Sequence, residues 1–369
     1  MEKKITVIVN GRFHAFDYAS ELHKKGLLDK LISTMPYSKA KIFNIPRNKY
    51  SGFPILEAVK YLFRKLFKKE LPLVLYSKLF NKLCLSKIPN TTEVIISFAG
   101  YSKEIFENND NKIKILDRGS THTINNIKLK ELASKYHNTT FIPHNKSFID
   151  REIEEYKLAD YIMVPSSFVK KTFLENNINE HKIMLNPYGV SEKKFTNLDP
   201  TIERKDNVIL FVGQLSPRKG IKVLIDAFKI LKEKNSEIQL WLVGSINGIN
   251  PDLLKVNGVK YFGVLSGKKL QNKFQSATLF CLPSFEEGLA LVLTEAKYFN
   301  LPIVATSNSG VESLFEISEN GYTLFETGNP IDLESKISNT LKDKNYHLNN
   351  KIVKNTWLDF TNKIIKTIN

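Results

Sequence analysis

The sequence predicts an α/β protein of two doubly wound domains facing a central cleft. Three observations predict it. Short β-branched runs alternate with longer amphipathic stretches, the pattern restarts after residue 200, and 369 residues suit two domains of ordinary size.

In the first half, Ile5–Val9 reads as a strand and Tyr18–Leu27 as a helix. Val94–Phe98 and Ile113–Leu116 are further apolar runs, and Ile162–Val164 follows a helical stretch over Glu152–Ala159. Alternation of this kind argues for parallel strands joined by crossover helices. In the second half Val208–Val212 is wholly apolar. Ile221, Leu224, Ile225, Phe228 and Leu231 then fall on one helical face, and Ile238–Val243, Leu279–Leu282 and Ile303–Ala305 read as strands. Pro187 and Gly189 mark the join. The expected division is a first domain over 1–187, a linker over 188–204, a second domain over 205–350, and a C-terminal helix over 351–369 that packs back on the first domain. In such sheets ligands bind beyond the carboxyl ends of the strands, so a ligand shared by two of them lies in the cleft between.

Composition narrows the function. The apolar fraction of 42% lets each half bury a core. The net charge of +16 suits an anionic partner, or simply solubility. No nucleic-acid motif is present and the aromatics do not cluster as a stacking platform, so a basic nucleic-acid-binding protein is a distant alternative. Cys84 and Cys281 stand far apart in apolar runs, without His or Cys at metal-ligand spacing, which fits buried thiols in a reducing cytoplasm. The opening MEKKITVIVN passes from charge into a short run that reads as a strand. No uncharged apolar run approaches the ~18–20 residues that span a bilayer. Within residues 56–83, Tyr61, Leu62, Phe63, Leu66 and Phe67 interleave with Arg64, Lys65, Lys68 and Lys69. That is either a helix for an anionic membrane surface or a core-packing helix with a solvated Lys face. The expected location is the cytoplasm, with peripheral contact to the inner membrane's cytoplasmic face.

Two segments carry the chemistry. Phe211–Gly220 (FVGQLSPRKG) leaves a strand, turns at Gly213 and enters a helix near Pro217, which is favoured in a first turn. Ser216 is placed to cap that helix. Arg218 and Lys219 then flank a helix N-terminus, where free amides and the positive dipole end favour anions. Leu282–Ala296 (LPSFEEGLALVLTEA) breaks at Pro283 and Ser284, and Gly288 permits close approach of a ligand. A helix is expected from about Leu289. Glu287 and Glu295 lie eight positions apart, roughly 12 Å if the segment is helical throughout. Carboxylates are strong acceptors for sugar hydroxyls.

Taken together, GQLSPRKG and EGLALVLTEA resemble the paired motifs of retaining glycosyltransferase family 4, the second being its E-x7-E motif, as found in enzymes of bacterial surface-polysaccharide synthesis. The resemblance continues through YFGVLSGKKLQNKFQSATLFCLPS, LPIVATSNSGVESL and LADYIMVPSSFVKKTF, and covers most of residues 150–330. It implies the GT-B fold and transfer of a hexose or N-acetylhexosamine from a nucleotide diphosphate sugar, UDP before GDP, to a glycan acceptor, and the basic amphipathic segment points to a lipid-linked one. By resemblance, Arg218 and Lys219 hold the diphosphate, with Gly213 and Gln214 at the turn. Glu287 holds the transferred sugar and Glu295 the ribose. Leu289, Ala290 and Leu291 offer backbone amides, and Val264 and Leu265 run along the base. The family's Phe-Gly after Glu-Gly is Leu289-Ala290 here, which sets a methyl where backbone meets ligand. His122, in DRGSTHT, matches a family His facing the reacting sugar. Asp117 and Arg118, with Gly11 and Arg12 after the first strand, fall on the acceptor side, while His14 and Asp17 nearby carry no assigned role. The family's chemistry retains anomeric configuration, the leaving phosphate itself taking the acceptor proton. No cofactor and no metal are implied, and no Asp-x-Asp pair occurs in the chain. A sugar-nucleotide epimerase on the same architecture is the alternative enzyme.

Overall fold

The computed structural model describes residues 3–190, 199–315, 321–343 and 355–369. Parts of the expected linker (191–198), of the second domain (316–320 and 344–350) and of the C-terminal helix (351–354) lie outside the described residues.

The first sheet holds β1 (Ile5–Val9), β2 (Leu28–Ser33), β3 (Tyr50–Gly52), β4 (Val94–Phe98), β5 (Ile113–Asp117), β6 (Tyr161–Val164) and β7 (Ile183–Leu185). The second holds β8 (Val208–Val212), β9 (Gln239–Val243), β10 (Val259–Tyr261), β11 (Leu279–Leu282), β12 (Ile303–Thr306) and β13 (Tyr322–Phe325). Neighbouring strands are parallel throughout, in the orders 3-2-1-4-5-6-7 and 10-9-8-11-12-13. Both orders reverse direction beside the first strand of the sheet, between β1 and β4 and between β8 and β11. Ligands of open α/β sheets sit in the crevice at such a reversal. The loops after β1, β8 and β11 are therefore the ones to watch.

Central strands are buried on both faces because helices cover both, so VILFV is wholly apolar and ITVIV is interrupted only by Thr6. The sequence reading missed β2, whose Asp29 and Lys30 interrupt the pattern. Asp29 is nonetheless buried, accepting hydrogen bonds from the Thr91 and Thr92 hydroxyls at 2.8 Å each. The short strands β3, β7, β10 and β13, of three or four residues each, are too brief to show a strand pattern.

The first-domain helices are α1 (Ala15–Lys24), α2 (Tyr37–Lys41), α3 (Ile55–Phe67), α4 (Leu73–Leu85), α5 (Lys103–Glu107), α6 (Thr123–Tyr136), α7 (Lys146–Leu158) and α8 (Ser167–Leu174). The second domain adds α9 (Ile221–Lys234), α10 (Gly267–Ser276), α11 (Leu291–Tyr298) and α12 (Pro330–Lys342), and α13 (Trp357–Ile368) closes the chain. Helix α1 starts three residues before the expected Tyr18. The basic amphipathic segment is two helices: α3 stops at Lys68, which turns left-handed at φ 49°, and Pro72 sits at the N-cap of α4.

Helix α13 packs on α1 of the first domain. Asn355 Nδ2 donates to Pro187 O at 2.7 Å, and Asn186 Nδ2 donates to Phe360 O at 3.1 Å. Gly189 is needed there, since a Cβ would lie 2.5 Å from Trp357 N. The domains also meet directly. Thr121 donates to Glu286 Oε1 through its N–H (3.2 Å) and its hydroxyl (3.0 Å), and Ser166 Oγ donates to Gly288 O. His137 donates from Nδ1 to Ala133 O and accepts the Lys222 N–H at Nε2 (2.9 Å), so a first-domain imidazole caps the start of α9.

Candidate active site

Both reversal points open on one cavity of about 580 Å³. Its second-domain wall is Val212 and Gly213 after β8, Lys219, and then Glu287, Leu289, Ala290, Leu291, Val292, Thr294 and Glu295 after β11. Its first-domain wall is Arg12, Phe13, His14 and Asp17 after β1, with Tyr188, Gly189, Val190 and Trp357 closing one side.

The second-domain wall differs locally from the sequence expectation. Pro217–Lys219 is a single 3-10 turn, and α9 begins after Gly220, which sits at φ 70°. Gly220 is obligatory, because a Cβ would lie 1.9 Å from Pro283 O of the β11 loop. Ser216 stands at the N-cap position, but its hydroxyl makes no cap bond and is buried without a partner. The helix expected from Leu289 starts at Leu291, so Glu287 precedes it in irregular chain and the 12 Å helical spacing to Glu295 does not apply. Pro283, Ser284 and Gly288 hold the segment out of helix. The close approach that Gly288 permits is to Gly119 O of the first domain, 1.9 Å from where a Cβ would stand.

The predicted cations converge and then part. Lys219 Nζ pairs with Glu287 Oε1, and Arg218 Nη1 reaches the same oxygen at 2.6 Å and Glu286 O at 2.6 Å. Lys219 faces the cleft. Arg218 instead lines a second cavity of about 250 Å³, together with Gln214, Lys130, Phe141 and Asn247. Burial and the neighbouring cations hold the Lys130 pKa below its ordinary value, against the opposing pull of Glu286. Glu287 and Ala290 spend their N–H groups on Asn308 O (3.0 Å) and Ser309 O (3.3 Å). Leu289, Leu291 and Val292 also line the cleft, the last two in the first turn of α11, where N–H groups have no intrahelical acceptor. A lysine beside such a turn can neutralise a phosphate. Val264 and Leu265 line neither cavity: Val264 is exposed and Leu265 packs on the core.

The first-domain wall rearranges the expected roles. His122 is buried at the N-cap of α6, where Nδ1 accepts the Ile124 N–H at 3.4 Å and the ring packs on Tyr156 (4.9 Å) and Phe173 (5.2 Å). Burial first, and Arg118 second, bring its pKa down to about 4. Arg118 is also buried. It pairs with Glu152 and donates to Thr121 O, which shapes the loop that meets Glu286. The imidazole in the cleft is His14, whose Nε2 lies 2.8 Å from Asp117 Oδ2. Gly11, at φ 100°, donates its N–H to Thr34 Oγ1 at 3.0 Å. Sequence reasoning passed over Phe13, Tyr188, Trp357 and Glu286. Phe13 and His14 lie four and five residues after β1 at a sheet reversal, a position that could have singled them out. Trp357 carries no such local signal.

Among the described residues, no group of three or more His, Cys, Asp or Glu is placed to hold a metal ion, and no helix is long and apolar enough to cross a membrane.

Residues 193–357 match the family model described as glycosyl transferases group 1. A lipopolysaccharide 1,2-N-acetylglucosaminetransferase of Salmonella typhimurium is 26% identical over 245 residues, covering 60% of this chain and 64% of that protein. A Campylobacter jejuni enzyme, named as an alpha-1,4-N-acetyl-D-galactosaminyltransferase acting on a diNAcBac-PP-undecaprenol glycan, is 25% identical over 225 residues, covering 60% and 61%. The chain thus spans less than two thirds of the length of these relatives. Anabaena HepE in complex with UDP and glucose superposes with a TM-score of 0.68 at 14% identity, over 99% of both chains. WaaG, a glycosyltransferase involved in lipopolysaccharide biosynthesis, superposes with a TM-score of 0.63 at 14% identity, over 98% of this chain and 94% of that one. The fold is GT-B, two Rossmann-like domains facing a cleft.

Proposed function

We propose that the protein is a metal-independent retaining glycosyltransferase. It moves a hexose or N-acetylhexosamine from a UDP sugar, or with lower preference a GDP sugar, to a glycan acceptor in cell-surface polysaccharide synthesis. The observation that carries this reading is the meeting of both sheet reversals at one cleft, whose second-domain wall pairs Lys219 with the first turn of α11. The names of the relatives and the UDP in the HepE complex support it. In this reading Lys219 and the α11 amides neutralise the leaving diphosphate, which takes the acceptor proton on the same face. Glu287 meets the transferred sugar and Glu295 the ribose, each carboxylate accepting from hydroxyls. The test is thermal shift against UDP, GDP, ADP and CMP. A rise in melting temperature is expected with UDP first, because a ligand that binds only the folded state stabilises it. No rise with any of the four at millimolar concentration contradicts the reading.

We also propose that the acceptor is lipid-linked and that α3 meets the membrane on the cytoplasmic face. Only Leu56 of α3 is buried. Ile55, Val59, Leu62 and Leu66 recur at the spacing of one helical face and all stand exposed, Leu66 at 73%. Lys60, Arg64, Lys65, Lys68 and Lys69 surround them, which fits an anionic lipid surface. Co-sedimentation with phosphatidylcholine–phosphatidylglycerol vesicles is expected, falling several-fold when Lys65, Lys68 and Lys69 are changed to Glu. Equal sedimentation of the two proteins contradicts it.

A further inference from the structure

Phe13 is a cleft residue held in a costly backbone conformation. Its φ is 40°, in the left-handed region where a bulky side chain is strained and where glycine or asparagine would sit at ease. Burial does not offset that strain, because Phe13 is 67% exposed. Backbone strain of this kind concentrates at functional sites. The ring stacks on Phe98 at 5.9 Å with 25° between planes, and it lines the cleft.

The next residue, His14, also lines the cleft. Asp117, itself 3% exposed, accepts from His14 Nε2 at 2.8 Å and from Tyr18 Oη at 3.4 Å. The His14 ring is packed between Tyr188 (4.3 Å), Phe98 (5.1 Å) and Trp357 (6.0 Å, 6° between planes). Nε2–H donates to the Asp117 carboxylate, and in that tautomer of the neutral ring the lone pair lies on Nδ1. The wall that faces Lys219 and Glu287 thus offers a largely exposed aromatic ring, backed on one face by Phe98, beside an imidazole fixed in orientation. That pairing matches a pyranose. The ring's weakly positive C–H face suits the negative π face of an aromatic, and its hydroxyl edge suits a hydrogen-bond acceptor. The same wall suits a diphosphate poorly. Among the described residues that line it, its one cation, Arg12, lies 5.0 Å over the Phe43 ring.

We propose that Phe13 and His14 form the acceptor subsite for a pyranose ring, Phe13 stacking on its C–H face and His14 Nδ1 accepting from the hydroxyl turned toward the donor wall. This rests on the glycosyltransferase reading above and names which residues meet the acceptor. The strained Phe13 backbone keeps the ring in the cleft instead of letting it fold back onto the core, and Asp117 keeps the imidazole from turning.

The test uses the full chain saturated with UDP and the methyl glycosides of glucose, galactose and N-acetylglucosamine as probes, read by saturation-transfer NMR. Wild type is expected to transfer saturation to the ring protons of at least one glycoside. Phe13→Ala should weaken that glycoside about tenfold, Phe13→Tyr should retain it, and His14→Gln should weaken it about fivefold. UDP affinity by calorimetry should stay the same in all three, and the melting temperature of Phe13→Ala should not fall. Absence of any glycoside signal in UDP-bound wild type overturns the subsite, as does equal affinity in Phe13→Ala and wild type. A fall in the melting temperature of Phe13→Ala also overturns it, because the ring would then serve the fold. If glycosides bind and UDP does not, the subsite stands and the glycosyltransferase reading fails.

Discussion

The two walls of the cleft stand at equivalent places, beyond the C-terminal ends of β1 and β8, yet their chemistry has almost nothing in common. The β8 wall is a basic turn closed by glycine, locked to the β11 loop by the Gly220–Pro283 contact and to a buried carboxylate by Lys219. The β1 wall is aromatic, with one imidazole held by one carboxylate. The difference teaches that the doubly wound topology supplies the place and the loops supply the chemistry. A wall that neutralises phosphate needs fixed cations and amides. A wall that admits a neutral glycan needs a flat apolar surface and few oriented polar atoms.

The sharpest way to break this contrast is to remove the cation that faces the cleft. Lys219→Ala should lower turnover of the UDP sugar by about 10²–10³ while the melting temperature stays near wild type, as when one preorganised charge-stabilising donor is lost. Arg218→Ala should cost roughly tenfold, about 1.4 kcal/mol, because Arg218 supports Glu287 and opens on the smaller cavity. Equal losses in steady-state turnover would mean that the two cations act as one and that the second cavity belongs to the donor site.

A separate effect, on stability and not on turnover, concerns His122, which lines neither cavity. Its pKa lies at about 4 in the fold, against an ordinary value of 6.5, chiefly through burial. Below 6.5 the unfolded chain takes up a proton that the folded chain refuses until about 4. Its contribution to stability is therefore complete above 6.5 and lost as pH falls toward 4, by roughly 2–3 kcal/mol. His122→Asn keeps an N-cap acceptor and removes the titration. Urea unfolding between pH 7 and pH 4 should show a shallower acid loss for this variant. Identical acid limbs would mean that the imidazole is solvated and free to serve the cleft.

These contrasts also explain what could be read in advance. The places of Lys219, Glu287 and Glu295 on the cleft wall were legible because each stands within a few residues of a strand end or helix start, inside a local motif. The central strands were legible because burial on both faces leaves mostly apolar residues. β2 was not, since Asp29 finds its partners in the loop before β4, more than sixty positions away. The pairing of His14 with Asp117 spans 103 positions, and Trp357 reaches the cleft from the last helix, so no local pattern announces either. His122 matched by position along the chain, but its seat at a helix N-cap turns the ring into the Tyr156–Phe173 packing.

Calorimetric titration of wild type and Lys219→Ala with UDP tests the central claim most directly, because it needs neither the sugar nor the acceptor. The account predicts micromolar binding to wild type and binding at least about tenfold weaker to Lys219→Ala. Equal affinity in the two proteins, or no heat of binding to wild type with UDP or GDP, would contradict it.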